Sequence, residues 1–195
     1  MGVTLQAMCK LRDAIDAYKR SLCIYQNHSV CQRNSLKMVN AIKNLGSVYS
    51  QQGRHRKAIE NFKRALNIEK IYGLNDIGMA NTYNSLGVAY ARLGVSARAM
   101  SYYRQAEAIV NGLCGYEWHA DVADLFFNIG VTNSTLNRLR SAKYFLKRSL
   151  RIFCKCLGNM HPKTLRANEF LKSLTHRRVH NLRLNRAHCV SGRRF

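Results

Sequence analysis

A segment of eleven residues recurs four times along the chain, and this repetition limits the possible folds more than any other feature. The copies are Ala14–Ile24, Ala58–Ile68, Ala99–Ile109 and Ala142–Ile152. Successive copies begin 44, 41 and 43 residues apart, from 14 to 58, from 58 to 99 and from 99 to 142. A period of this length predicts a solenoid of stacked units, each of which buries its apolar face only against its neighbours.

The spacing of apolar residues within the repeated segment is helical. They stand at positions i, i+4, i+8 and i+10, as in Ala58, Phe62, Leu66 and Ile68, which lie on one face of an α-helix, here called helix B. A second recurring segment, here called helix A, precedes three of the copies and contains Gly46, Gly87 and Gly130. Glycine within a helix costs about 1 kcal/mol relative to alanine. Its recurrence therefore predicts a close approach of two helix backbones.

The turn between helix A and helix B also contains glycine in the two middle units. Gly53 and Gly94 follow the end of helix A, and glycine suits the left-handed position that ends a helix. Each unit is therefore predicted to be a helix, a tight turn and an antiparallel helix, and the chain is predicted to be all-α.

These residues together resemble the tetratricopeptide repeat. The resemblance rests on Leu-Gly and Tyr in helix A, Gly in the turn, and Ala, an aromatic residue and Ala in helix B. In the middle units these residues are Leu45, Gly46, Tyr49, Gly53, Ala58, Phe62 and Ala65, and then Leu86, Gly87, Tyr90, Gly94, Ala99, Tyr103 and Ala106. In the last unit Gly130 and Ala142 occupy the matching positions. The resemblance implies a right-handed superhelical solenoid of antiparallel helix pairs.

The long period resembles the kinesin light chain and nephrocystin type of this repeat, because the usual period is about 34 residues. Residues 157–165 are similar to the LG-x-x-HP-x-T-L joint of that type, and residues 118–123 form a weaker version. His161 is predicted to organise the joint. Trp118 is predicted to pack where the loop meets the next helix, whereas an exposed tryptophan would indicate a contact surface. The heptad segment that joins a kinesin light chain to its heavy chain does not occur in this sequence, so motor association is not implied.

The register of the repeats divides the chain into six segments. They are a partial first repeat at 1–25, repeats at 37–70, 78–111 and 121–156, a C-terminal capping helix at 162–175, and a basic tail at 176–195 that is predicted to be disordered. The third complete repeat is degenerate, because Asn133, Asn137 and Leu146 replace the usual tyrosine, glycine and aromatic residue. The incomplete first repeat indicates either a fragment of a longer protein or an end that a partner or a second copy covers.

The formal net charge of +22 is concentrated towards the C-terminus. Residues 138–195 hold 16 Lys and Arg and one acid, whereas residues 1–137 hold 16 and nine acids. Helix B also carries recurring cations, here called the basic stripe: Lys19, Arg20, Lys63, Arg64, Arg104, Lys147 and Arg148. The stripe is either a solvated face whose cationic stems cover apolar surface, or a track that binds anions.

By the resemblance, helix A lines a groove for a peptide ligand. The ligand-facing positions lie two to six residues before the helix A glycine, directly after it, and near the turn. They are Asn40, Lys43, Asn44, Ser47, Asn81, Asn84, Arg92, Asn128 and Arg138. Amides can pair with a peptide backbone, and cations can pair with acidic side chains. Kinesin light chain-like grooves take short acidic peptides, so the resemblance implies an acidic peptide partner. The alternative for each asparagine is solvent exposure or a bond between helices.

The sequence contains no recognisable catalytic, cofactor or metal motif. Acidic residues are few and scattered, and no G-x-S-x-G, H-E-x-x-H or P-loop occurs. The seven cysteines include no C-x-x-C pair, and Cys23 is predicted to be a small buried residue. No stretch approaches the roughly 20 apolar residues of a membrane span, and no secretory signal is present. The predicted location is therefore the cytoplasm, and the basic tail also allows the nucleus.

Three functions are compatible with these features. The first is a non-enzymatic adaptor or scaffold that binds a short acidic peptide of a partner in the groove. The second is electrostatic binding of nucleic acid or an anionic membrane through the basic stripe and residues 176–195, with no base-reading ladder on helix B. The third is a fragment or diverged remnant of a repeat protein that has kept no partner.

Overall fold

The computed structural model of the protein describes residues 11–27 and 32–174, and every regular element in these ranges is an α-helix. The helices are α1 (Leu11–Asn27), α2 (Gln32–Gln51), α3 (His55–Ile71), α4 (Ile77–Arg92), α5 (Ser96–Gly112), α6 (Ala120–Thr135), α7 (Leu139–Leu157) and α8 (162–174). This confirms the all-α class. None of these described helices is long and apolar enough to cross a membrane. The predicted basic tail and the start of the predicted first repeat lie outside the described residues.

The helices pair in chain order through short turns. Three residues separate α2 from α3, α4 from α5, and α6 from α7, and the members of each pair pack against one another, so each pair is antiparallel. These pairs span the segments predicted as complete repeats, with helix A as the first member and helix B as the second. The chain divides into two compact units, Met1–Cys114 with α1 to α5, and Gly115–Phe195 with α6 to α8.

Each helix A glycine is covered by a buried side chain from helix B of the same pair. A Cβ atom on Gly46 would lie 2.7 Å from Cε1 of Phe62, and one on Gly87 would lie 2.3 Å from Cε1 of Tyr103. At Gly130 the nearest atom is Cγ of Leu146, also at 2.7 Å. The nearest obstacle is therefore a helix B side chain rather than a second backbone, which corrects the expected reason for these glycines.

A residue in the left-handed conformation ends each helix A. Gly53 and Gly94 have φ angles of 74° and 79°, which confirms the role predicted for these glycines. Asn137 takes the same position in the last pair with φ of 56°, since asparagine is one of the few other residues that tolerate it. Asn133 is buried there, and its side-chain amide donates a hydrogen bond to the Ile129 carbonyl at 2.9 Å. Asn137 therefore replaces the turn glycine through its backbone conformation, and the buried amide of Asn133 has a hydrogen-bond acceptor within its own helix.

Side chains at the joints cap the helices that follow. Asp76 caps α4 through its carboxylate. His119 Nδ1 accepts a hydrogen bond from the Asp121 N–H at the start of α6, and His161 Nδ1 accepts one from the Lys163 N–H at the start of α8, both at 3.2 Å. The predicted structural role of His161 is thereby confirmed.

Cys23 is exposed rather than buried, so the prediction for this residue was wrong. It follows the buried Leu22 and lies one helical position outside the apolar face of α1. The same repeat position holds Asn67, Ala108 and Arg151 in the later copies, and all three are exposed. The repeat register therefore indicated the correct environment, whereas the general preference of cysteine for burial did not.

Gly87→Ala should destabilise the first unit, because the added methyl group would collide with the ring of Tyr103, which is 1% exposed. Because the methyl group would overlap the ring of Tyr103, overpacking should cost about 3 kcal/mol. Since alanine gains about 1 kcal/mol of helix propensity, the net loss should be about 2 kcal/mol. Urea unfolding followed by circular dichroism measures this loss.

Gly112→Ala is the matched control, because nothing lies within 4 Å of a Cβ atom built there. It should leave the unfolding midpoint unchanged or raise it. An equal loss of stability in both variants would show that the ring of Tyr103 does not limit the space at Gly87.

Candidate functional site

A groove lies between α2 and α4, the helix A members of the first two pairs. Its cavity has a volume of about 420 Å³ and is lined by Ser47, Ser50, Gln51, Phe62, Asn84, Ser85, Val88 and Arg92. Six of these eight residues have polar side chains. Arg92 carries the only charge in the lining, and no acid is among these residues. The groove therefore offers many hydrogen-bonding groups and a single positive charge.

Helical spacing brings the lining residues together. Ser47, Ser50 and Gln51 stand at i, i+3 and i+4 of α2, which share one helix face. On α4, Arg92 lies two turns beyond Asn84 on the matching face. Phe62 contributes from α3 and is 3% exposed. The ring of Phe62, which covers the helix A glycine of its pair, is thus also part of the lining of the groove.

Three of the nine predicted ligand-facing residues line this groove, namely Ser47, Asn84 and Arg92. The other six lie elsewhere: Asn40, Lys43 and Asn44 on α2, Asn81 on α4, Asn128 on α6, and Arg138 at the N-cap of α7. Asn128 and Arg138 belong to the second unit. The structure therefore brings together one cation and two neutral residues from the predicted set.

Sequence interpretation missed five lining residues, Ser50, Gln51, Phe62, Ser85 and Val88. Three of them carried a usable signal. Gln51 occupies the same repeat position as Arg92, Ser85 the same position as Asn44, and Val88 the same position as Ser47. Applying the repeat register to every unit and every residue type would have identified all three.

Lys43 is engaged at the joint between two helix pairs. Its Nζ lies 3.2 Å from Oε1 of Glu69 and donates a hydrogen bond to the Gly78 carbonyl at 2.7 Å. The hydroxyl of Thr82 donates to the same carboxylate oxygen at 2.9 Å. The ammonium group therefore ties α2 to α3 and α4, and it already has partners within the protein.

Glu69 is an acidic residue at a buried position, which is unusual. Its side chain is 3% exposed, and burial raises its pKa, although Lys43 and Thr82 act in the opposite direction. Oε2 is buried and accepts no hydrogen bond from the described residues. Since desolvation of a carboxylate is costly unless a cation compensates it, the charge of Glu69 depends on Lys43.

The cations of the basic stripe are exposed at most positions. The exposed members are Lys19, Arg20, Lys63, Arg64, Arg104 and Lys147, whereas Arg148 is half-buried.

Some of these cations lie over aromatic rings. Lys63 Nζ and the Arg98 guanidinium, which is outside the stripe, lie 6.0 and 5.8 Å from the centre of the Tyr90 ring. Burial raises the pKa of Tyr90, but these two cations outweigh that effect and lower it. The guanidinium carbon of Arg148 lies 4.0 Å from the centre of the Phe126 ring. Part of the stripe therefore covers aromatic surface, as one of the two interpretations predicted.

Part of the chain matches a known family of repeats. Residues 37–111 match the tetratricopeptide repeat family. The matched tetratricopeptide segment contains the whole lining of the groove and the joint formed by Lys43 and Glu69. No curated protein sequence matches the chain significantly.

Solved structures of tetratricopeptide-like proteins share the fold. BtubC (BKLC) from P. vanneervenii has a TM-score of 0.69 at 21% identity, covering 100% of this chain and 79% of that one. A kinesin light chain-like protein of Podosopora anserina with nearly identical TPR-like repeats has a TM-score of 0.67 at 17% identity, covering 100% and 94%. A point variant of that fungal protein has a TM-score of 0.70 at 16% identity, covering 95% and 86%. These similarities establish a helical repeat fold, while the long-period subtype stays a prediction.

Lys43→Met should destabilise the tetratricopeptide segment by about 3 kcal/mol at neutral pH, because it leaves the Glu69 carboxylate buried without its cation. The loss should shrink as the pH falls. Burial raises the folded-state pKa of Glu69, and removal of Lys43 raises it further, so the folded variant holds a proton that the unfolded chain has released. The stability of the variant should therefore fall as the pH rises through this folded-state pKa. Chemical unfolding at several pH values measures the effect.

The double variant Lys43→Met/Glu69→Met tests the same joint without a buried charge. Replacing both partners of a buried pair by apolar residues is often neutral or stabilising, so most of the lost stability should return. A loss in Lys43→Met that does not vary with pH would contradict the dependence of Glu69 on Lys43.

Proposed function

We propose that the protein is a non-enzymatic adaptor whose groove between α2 and α4 binds a short acidic peptide segment of another protein. The observation that carries the proposal is the lining of the groove, in which six polar side chains, one of them a cation, occur with no acid. Tetratricopeptide repeat proteins are generally adaptors rather than enzymes, and the family match covers this groove. The fold and the lining therefore support the same function.

The lining suits an extended or helical peptide. The amide of Gln51 offers both a donor and an acceptor to a peptide backbone, and the hydroxyls of Ser47, Ser50 and Ser85 can act in either sense. Val88, which is half-buried in the lining, provides apolar surface for one side chain of the ligand. Small serine side chains on both helices leave room for a backbone between them.

The acidic preference rests on Arg92. This residue is exposed at the end of α4, and the lining holds no acid that could neutralise it. A guanidinium can bind a carboxylate through two parallel hydrogen bonds. Lys43 is left out of the proposed site because it pairs with Glu69, and Arg138 is left out because it belongs to the second unit.

We place this activity in the cytoplasm. Cys23, Cys114, Cys154 and Cys156 are all free, which is the state expected in a reducing compartment. Free thiols of this number would be a liability in an oxidising environment.

The test begins with peptides selected from a random display library against the full chain. The selected sequences should be enriched in Asp and Glu, and Arg92→Glu should weaken their binding about ten-fold or more, because it replaces a bidentate attraction with a repulsion. Fluorescence anisotropy of labelled peptides measures the dissociation constants. Ser50→Trp should also weaken binding, because the larger side chain fills the groove without changing its charge.

Arg104→Glu is the matched control, because it makes the same change of charge at an exposed position on α5 outside the groove lining. It should retain most of the affinity. Selected peptides without acidic enrichment, or an equal loss in Arg92→Glu and Arg104→Glu, would contradict the assignment of the groove.

A further inference from the structure

α7 is distinguished from the other helix B segments by the sign of its charges. It contains six cations and no acid, and the cations are Arg140, Lys143, Lys147, Arg148, Arg151 and Lys155. By contrast, α1, α3 and α5 each contain at least one Asp or Glu. The charged residues of α7 itself are therefore all positive, which favours anionic ligands.

Most of these cations share one face of the helix. At 3.6 residues per turn, positions 140, 143, 147, 151 and 155 recur on the same side, and position 144 lies among them. With a rise of about 1.5 Å per residue, the face is about 22 Å long and its neighbouring cations are about 4.5–6 Å apart along the axis. A row of cations at such intervals can follow the backbone of a single strand.

Three of the six cations cover aromatic rings. The guanidinium carbon of Arg148 lies 4.0 Å from the centre of the Phe126 ring. Arg151 and Lys155 lie 5.4 and 3.6 Å from the centre of the Trp118 ring. Trp118 is 37% exposed, so it packs under these cations and also reaches the surface. Half of the cations on α7 therefore have aromatic contacts within the protein.

The other three cations surround a cavity. Its volume is about 590 Å³, and it is lined by Asn137, Leu139, Arg140, Lys143, Tyr144, Lys147 and Leu174. This volume lies within the usual range of ligand sites, about 300–1,000 Å³. All of these residues belong to the second unit, whereas the α2–α4 groove belongs to the first. The cavity is therefore a separate candidate site.

Tyr144 places an aromatic ring among the cations of this cavity. The side chain is 56% exposed, and Phe145 contacts it edge-to-face with ring centres 5.2 Å apart. The same repeat position holds Asp16, Glu60 and Ser101 in the other copies. A ring thus stands where the other copies have an acid or a small polar residue, at the point where the surrounding charge is entirely positive.

We propose that this surface of α7 binds single-stranded nucleic acid. Arg140, Lys143 and Lys147 contact successive phosphates, and one base stacks on the exposed ring of Tyr144. A positively charged track combined with an aromatic platform is the usual means of binding single strands without sequence preference. The bases of a duplex are stacked on each other and cannot reach Tyr144. The Arg148 guanidinium carbon lies 5.8 Å from the centre of the Tyr144 ring, but the ring is still 56% exposed. An acidic peptide would satisfy the cations but would not use this exposed aromatic surface.

Anisotropy of a fluorescein-labelled thymidine dodecamer with the full chain tests this proposal. The triple variant Arg140→Gln/Lys143→Gln/Lys147→Gln should bind about ten-fold more weakly at low salt. Its slope of log affinity against log salt should decrease in magnitude by about 2, since each phosphate contact in a single strand contributes about 0.7. Trp118 is the only tryptophan of the chain, and quenching of its fluorescence should report binding on the same face independently.

The control triple variant Arg64→Gln/Lys70→Gln/Arg104→Gln removes the same charge from exposed positions in the first unit. It should change the affinity by less than about three-fold, because only the general attraction is reduced. Equal losses in the two triple variants would overturn the proposal in favour of diffuse attraction to the whole protein.

Tyr144→Ala separates stacking from charge. It should lower the affinity for the dodecamer about five-fold or more while leaving the salt slope unchanged, and Tyr144→Phe should bind like the parent.

A polyglutamate peptide of matched charge is the control ligand, and its affinity should not respond to either substitution. An unchanged dodecamer affinity in Tyr144→Ala, or tighter binding of polyglutamate than of the dodecamer, would overturn the proposal and indicate an acidic polypeptide as the ligand. Arg92→Glu should leave dodecamer binding nearly intact, so a failure of this site is distinguishable from a failure of the peptide groove.

Discussion

The contact between a helix A glycine and a buried helix B side chain is the constraint on which the described structure depends. The rings of Phe62 and Tyr103 occupy the space in which a Cβ atom would stand on Gly46 and Gly87. The separation of the two helices of a pair is therefore fixed by the thickness of a ring. Phe62 then reaches the groove between α2 and α4, so the same contact that sets the spacing within a pair also shapes the surface between pairs.

The helices and their pairing were predictable because the information is local. Apolar spacing defines each helix, and Gly53 defines the turn through its own backbone conformation. The groove was predictable only in part, since the residues that share a cavity depend on how two helices stand relative to each other. Lys43 shows the difficulty: its partner Glu69 is 26 residues away, and neither residue differs in type from an ordinary exposed side chain. The repeat register nevertheless indicated that Cys23 is exposed, whereas the general preference of cysteine for burial indicated the opposite.

The positive charge of the chain has more than one role. Lys63, Arg148 and Lys155 lie over aromatic rings, where a cation and an apolar stem stabilise packing. Arg92 and the cations beside Tyr144 instead border cavities. Cations of both kinds contribute to the formal net charge of +22. The structure thus separates cations that cover rings from cations that border cavities, a difference that is visible only in the folded protein.

The buried pair of Lys43 and Glu69 also distinguishes this joint from the corresponding part of the last helix pair. In the last helix pair the equivalent positions hold Phe127 and Phe153, so an exchange of one pair for the other would place a carboxylate or an ammonium against a ring instead of against its counter-ion. A solenoid of similar units could otherwise stack in a shifted order or exchange a unit with a second chain, because the apolar faces are nearly interchangeable. One ion pair at a single joint disfavours these incorrect arrangements. It does so because separating the two buried charges is costly, and not because the pair greatly stabilises the correct arrangement.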